Sequence, residues 1–175
     1  MHELIKKARE LALKAHATQV YGEIHPYFKH VEDVYKVLIG FGFTEADDLD
    51  ILVASFLHDI QEDSHYSYSD LKKEFGVDIA EIVYCVTDEL GRNRKEKKEK
   101  TYPKIRSNPK AVILKVADRI ANVEFSLTQT SGHINMYRKE YRDFEYHLRI
   151  YKQIDRMWEH LSHILFENEE GAVNG

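Results

Sequence analysis

Leu52-Val53-Ala54-Ser55-Phe56-Leu57-His58-Asp59-Ile60-Gln61-Glu62-Asp63 is the stretch on which the reading of this chain turns. Its first six residues are nearly all apolar, which predicts a centrally placed helix with no wet face. Two ligand-type side chains, His58 and Asp59, follow at once. At the end of a buried helix such groups are costly unless paired or coordinated. Adjacent helical side chains diverge by about 100°, yet near a helix end both can converge on one ion from its flank. Imidazole and carboxylate together suit a borderline divalent metal, Mn²⁺, Fe²⁺ or Zn²⁺.

Outward from this stretch the periodicity is helical. Leu4, Ala8, Leu11, Ala12 and Ala15 predict an amphipathic helix over 2–19. Tyr21 to Pro26 interrupts it, with Pro26 suited to the first turn of the next helix. Phe28, Val31, Val34, Val37 and Leu38 mark that helix, which ends near Gly40 or Gly42. Thr44 is a candidate cap for the central helix, with the acidic residues of 45–48 in its positive first turn. A short helix follows Ser67 and stops at Gly76, another covers 78–89, and the segment 92–106 is heavily basic. Residues 110–128 favour a helix over a buried strand because of length and alanine content. One long helix is expected over 134–166, whose apolar and aromatic face could pack internally or against a second copy of the chain. The expected architecture is a single all-α domain over 1–166 with a frayed tail at 167–175.

Composition agrees. The chain has 175 residues, enough for one well-buried core and few for two. Only 3 prolines and 8 glycines punctuate it, against a many-turned β fold. With 25 basic and 30 acidic residues the net charge is −5, so bulk charge does not point to nucleic acid. No window is apolar enough to span a membrane, and the start resembles no signal peptide. Cys85 is alone and set in the apolar run 82–86, the pattern of a buried inert thiol in a reducing, cytosolic setting.

The apolar-run-then-acid arrangement occurs twice. Leu114-Lys115-Val116-Ala117 leads into Asp118-Arg119, with Asn122 one turn further along the same face. His30 lies between Phe28 and Val31 on a third apolar helix. His30, His58, Asp59 and Asp118 together can form a metal shell with positions left open for water and substrate. If the helix continues past Asp59, Glu62 and Asp63 sit one turn from the metal. There they could orient or deprotonate a water and protonate a leaving group. Acid at a helix C-terminus opposes the macrodipole, which argues against a purely surface role. Arg92, Lys95, Lys98 and Tyr102 recur at helical spacing in the basic segment, as a clamp for a phosphorylated ligand would require. Tyr137, Tyr141, Phe144 and Tyr151 belong mostly to the core, with one or two available to a nucleobase or sugar.

These residues carry a resemblance. The chain resembles the HD-domain superfamily and, within it, the RelA/SpoT-type alarmone hydrolases, especially the small single-domain form similar to the metazoan homologue. The resemblance spans roughly 5–166 and is anchored on Pro26-Tyr27-Phe28-Lys29-His30, Leu57-His58-Asp59-Ile60-Gln61-Glu62-Asp63, Phe75-Gly76, Val86-Thr87-Asp88-Glu89 and Lys115 to Asn122. It implies a compact helical HD fold and hydrolysis of the 3′-pyrophosphate of guanosine tetra- or pentaphosphate to GDP or GTP and pyrophosphate. It implies one Mn²⁺ on His30, His58, Asp59 and Asp118, and a catalytic acidic pair in Glu62 and Asp63. It also implies substrate contacts near Asn122, Lys95 and Tyr141. Two positions depart from the pattern: Tyr21 stands where the family usually has a nucleotide-contacting arginine, and Val31 replaces a proline after the first histidine. Other readings are a phosphatase acting on NADPH, a deoxynucleotide triphosphohydrolase, or a non-catalytic nucleotide sensor.

Overall fold

Helix α1 (Glu3–Ala15) buries Ile5, Ala8 and Ala12 and is capped by His2, whose ring accepts from the Leu4 amide. The computed structural model describes residues 1–129 and 133–167. After α1 the chain forms a small hairpin, β1 (Val20–Tyr21) against β2 (His25–Pro26), paired Val20 to Pro26 and Tyr21 to His25. Pro26 therefore belongs to a strand edge, where its missing N–H costs nothing. Helix α2 (Phe28–Gly40) begins two residues later, with Tyr27 at its cap. Gly42 then adopts φ +96°, open to glycine and strained for other residues.

Residues 44–48 close a turn of their own. Thr44 accepts from the Asp47 amide and its carbonyl accepts from the Asp48 amide, so the central helix α3 (Leu49–Leu57) starts later than Thr44 would place it. Every residue from Ile51 to Leu57 is buried, Ser55 included, whose hydroxyl donates to the Leu52 carbonyl. Each fully buried aliphatic or aromatic side chain contributes about 1.5–3 kcal/mol. The rest of the bundle forms around this rod: α3 packs against α1, α2, helix α6 (Val77–Val86) and helix α8 (Pro109–Leu127).

The chain breaks at His58 and resumes as the single turn α4 (Ile60–Asp63). Helix α5 (Tyr68–Phe75) opens with a reciprocal capping box between Ser67 and Asp70. It gives way to α6 at Gly76, whose φ is +94°. Helix α7 (Arg94–Arg106) carries the basic segment, with Asn93 capping the Glu96 amide. In α8, Asn108 caps and Pro109 takes the first turn.

The long helix expected over 134–166 is two helices. Helix α9 (His133–Leu148) ends where Tyr151 turns extended, a 3₁₀ turn spans Lys152–Ile154, and helix α10 (Asp155–Phe166) runs back. Arg149 holds the corner through Glu145 and Asp155, and Arg138 of α9 donates to the Leu165 carbonyl of α10. The reversal buries Trp158 completely against Phe144, so this face packs internally. No glycine or proline marks the break, which tertiary packing imposes. The fold is all-α apart from the hairpin. Cys85 is buried, with its thiol pKa raised chiefly by burial. Most of the expected tail, 168–175, lies outside the described residues. Among the described residues no helix is long and apolar enough to cross a membrane.

Candidate metal centre and adjoining cavity

Four side chains from separate elements meet at the inner end of α3. His30 comes from the first turn of α2, His58 caps α3, Asp59 caps α4, and Asp118 lies midway along α8. The Nε2 atoms of His30 and His58 are 3.2 Å apart. Asp118 Oδ1 is 3.3 Å from His30 Nε2 and 4.0 Å from His58 Nε2. Asp59 Oδ2 is 3.0 Å from His58 Nε2 and 3.7 Å from His30 Nε2. Neighbouring ligands of one ion bound at about 2.0–2.2 Å lie roughly 3 Å apart, so the donor set fits a divalent cation.

The surroundings hold these atoms in a ligating pose. His58 Nδ1–H donates to the Ser55 carbonyl at 2.8 Å, which leaves the Nε2 lone pair facing the other donors. The Tyr27 hydroxyl donates to Asp59 Oδ2 at 2.5 Å. Asn122 donates through Nδ2 to Asp118 Oδ1 at 2.6 Å and accepts from the Tyr21 hydroxyl at 3.0 Å. The Tyr21 ring stacks on Phe125 with centroids 4.0 Å apart. His30 Nδ1 is buried without a hydrogen-bond partner, and its ring is kept in place by packing against Tyr21 and Tyr27.

Electrostatics point the same way. Burial opposes ionisation of Asp118, but Lys115 at 3.1 Å, with His30 and His58, holds its carboxyl well below the usual range. Burial likewise resists ionisation of Asp59, and His58 overrides it and keeps that carboxyl low. Burial would lower the His58 imidazole, yet Asp59 and Asp118 push it up to about 9. Two low-lying carboxylates in a dry niche attract positive charge. The Tyr27 and Tyr21 hydroxyls are raised chiefly by burial, then by Asp59 for Tyr27 and by Tyr137 and Asp118 for Tyr21, so both remain protonated donors.

The helix does not continue past Asp59 as an unbroken rod, so Glu62 and Asp63 occupy the separate turn α4. Glu62 Oε1 accepts from the Asp88 amide at 2.7 Å. Its outer edge meets solvent, yet packing around the carboxyl and the charge of Asp59 raise its pKa. Asp63 Oδ2 lies 3.7 Å from Nδ1 of the buried His16. The pair lines a groove with Leu11 and Tyr66, and neither residue lines the cavity that His30, Asp59 and Asp118 border.

That cavity, about 220 Å³, is lined by His30, Asp59 and Asp118 together with Arg94, Lys98, Lys115 and Arg119. Its cationic residues come from α7 and α8, and Tyr137 and Phe144 of α9 complete that part of the lining. Of the basic residues singled out by spacing, only Lys98 faces it, with a side chain 14% exposed. Lys95 points outward and pairs with Glu99, and Arg92 is 90% exposed beside Glu96. The helix turns Arg94 and Lys98, four residues apart, onto the inner face, and Lys95 falls off it. Tyr141 is buried away from the cavity, bonded to Glu145 and packed on Phe166; Tyr137, one turn earlier, lines the wall instead. Arg94, Lys115, Arg119, Tyr27 and Glu140 were not singled out from sequence. A signal existed for one: Lys115 interrupts a buried apolar run, and a charge there needs a partner.

Residues 8–143 match the HD domain family. The chain is 31% identical to the guanosine-3′,5′-bis(diphosphate) 3′-pyrophosphohydrolase MESH1 of Drosophila melanogaster, over 66% of this chain and 65% of that one. It is 31% identical to the guanosine-3′,5′-bis(diphosphate) 3′-pyrophosphohydrolase of Aquifex aeolicus (strain VF5), over 70% of this chain and 18% of that one. It is 32% identical to the probable GTP pyrophosphokinase of Mycobacterium leprae (strain TN), over 69% and 15%. It thus spans under two thirds of the fly protein and under a fifth of the two bacterial ones. Its fold is similar to that of a solved metazoan SpoT orthologue described as hydrolysing ppGpp and playing a role in starvation responses. That match has a TM-score of 0.83 at 23% identity and covers 96% of this chain and 97% of the other.

Proposed function

This chain belongs to the HD domain family, and from that premise we propose that it removes the 3′-pyrophosphate of guanosine 3′,5′-bis(diphosphate) or its pentaphosphate, using one bound Mn²⁺. One observation carries the reading: three of the candidate donors, His30, Asp59 and Asp118, line one cavity with four cationic side chains, Arg94, Lys98, Lys115 and Arg119, and His58 lies directly behind them. A cation site abutting a cationic wall suits a ligand that presents phosphate oxygens to both. The relatives named for this substrate support the choice of nucleotide.

In the reaction, water displaces the ribose 3′ oxygen from phosphorus, giving a free 3′ hydroxyl and pyrophosphate. When bound, the metal supplies Lewis-acid polarisation of the phosphoryl group and lowers the pKa of water. The chain supplies the rest. Glu62 and Asp63 take a proton from the attacking water and return one to the departing 3′ oxygen. The raised pKa of Glu62 brings its carboxyl closer to the working pH of a general base. Lys98, Arg94 and Arg119 hold the phosphate oxygens where negative charge accumulates. Lys115 and Asn122 keep Asp118 ionised and aimed.

The test is product analysis after the Mn²⁺-loaded protein is incubated with guanosine tetraphosphate, NADPH and deoxynucleoside triphosphates. GDP and pyrophosphate from the first is the expected result. Turnover of only another member of the panel would reassign the substrate, and binding without turnover of any would make the domain a sensor.

A further inference from the structure

Three of the four cations facing the cavity already share one carboxylate. Arg94 Nε lies 2.6 Å from Glu140 Oε1, and its Nη2 lies 3.2 Å from Oε2. Arg119 Nη1 is 3.1 Å from Oε2, and Lys98 contacts the same oxygen as an ion pair. The Lys98 ammonium is buried, and among the described residues Glu140 is its one acidic partner, against three N–H donors. Arg119 cannot withdraw: it is 9% exposed and its guanidinium lies between the rings of Tyr137 and Phe144, 4.9 and 4.4 Å from their centroids. Planar guanidinium groups and an ammonium around one oxyanion make the arrangement proteins use to hold phosphate. The anion present here is the chain's own.

Building on the hydrolase reading, we propose that Glu140 is a resident stand-in for a substrate phosphate, seated among Arg94, Lys98 and Arg119, and that a ligand phosphate binds by displacing it. Glu140 then acts as a specificity residue. A ligand offering a single negative charge exchanges one monoanion for another and gains little. A phosphate with two charges and three acceptor oxygens outcompetes the carboxylate and engages the ammonium hydrogens that Glu140 leaves unmatched. Burial disfavours the charged carboxylate, but Arg94 and Lys98 hold its pKa at about 2, so the seat stays filled at neutral pH.

The experiment is calorimetric titration of inorganic pyrophosphate into the full chain at pH 7, with and without one equivalent of Mn²⁺, for wild type, Glu140→Gln, Glu140→Asp and Lys98→Ala/Glu140→Gln. Removing the competing charge should tighten pyrophosphate binding roughly tenfold in Glu140→Gln and steepen its salt dependence. The shorter Glu140→Asp, which cannot reach all three cations, should gain several-fold. The double variant should lose most of the gain. Unchanged or weaker binding in Glu140→Gln, with a native melting curve, overturns the proposal and leaves Glu140 a strut between α7, α8 and α9. If Glu140→Gln does not fold, wild-type affinity in Glu140→Asp overturns it equally. Should the gain appear while no variant hydrolyses guanosine tetraphosphate, the displaced carboxylate stands and the hydrolase reading falls. Should hydrolysis proceed with pyrophosphate affinity unmoved, the reverse holds.

Discussion

Tyr27→Phe isolates one hydrogen bond at the metal centre. The ring of Tyr27 packs against His16, Tyr21 and His30, and phenylalanine keeps those contacts. What disappears is the hydroxyl that donates to Asp59 Oδ2 at 2.5 Å in a largely buried setting. A hydrogen bond to a charged acceptor is worth about 1.5–3 kcal/mol. Each 1.4 kcal/mol is about a factor of ten in a binding constant, so Mn²⁺ should bind roughly 10- to 100-fold more weakly. Outer-shell partners of metal ligands elsewhere show effects of the same size, about 10- to 100-fold. The assay is thermal unfolding at a series of Mn²⁺ concentrations. A cation that binds only the folded state stabilises it by about 2.7 kcal/mol at a hundred times its Kd. The variant's melting curve should therefore need 10- to 100-fold more Mn²⁺ to reach the same shift above its own metal-free melting point, which itself falls by a few degrees with the lost hydrogen bond. Equal Mn²⁺ dependence in the two proteins would refute the reasoning, since Asp59 would then be aimed without Tyr27.

Other outcomes follow from the same geometry. Asp59→Ala should abolish both the Mn²⁺-induced thermal shift and turnover, whereas Glu62→Ala should keep the shift and lower kcat by about 10²–10⁴-fold; full turnover in Glu62→Ala would remove Glu62 from the mechanism. Burial and the neighbouring Arg119 depress the Lys98 ammonium to about 8 against the pull of Glu140, so Lys98 loses its proton as pH rises through that value. KM for an anionic nucleotide should then climb several-fold between pH 7 and 9, and Lys98→Arg, which does not titrate there, should flatten the rise. Trp158→Ala, at a fully buried position against Phe144, should cost about 3–5 kcal/mol in urea unfolding.

The meeting of His30, His58, Asp59 and Asp118 was legible because three of the four end or interrupt a long apolar run, and His30 lies on the buried stripe of its helix. A polar group placed so breaks the local pattern, and His58, Asp59 and Asp118 are breaks of that kind. The anion wall was not legible. In the segment 92–100 charges fall on every side and no apolar stripe shows which face turns inward, so Lys95 and Lys98 look equivalent. Packing of α7 against α8 and α9 selects Arg94 and Lys98. Tyr141 and Tyr137 posed the same ambiguity, one turn apart on α9. The division of 134–166 into two helices left no trace either, since Arg149, Ile150 and Tyr151 carry no breaker. The corner exists because α10 has somewhere to fold back to.

Asp118 and Arg119 are neighbours in sequence on α8, yet one faces the cation donors and the other the cationic wall. Rotating or sliding α8 would disturb both at once, because it carries one of the candidate metal donors together with part of the cationic wall. The remaining donors come from α2, α3 and α4, and the remaining wall from α7 and α9. Substitutions on α7 and α9 therefore change the cationic wall while leaving the four candidate metal donors in place.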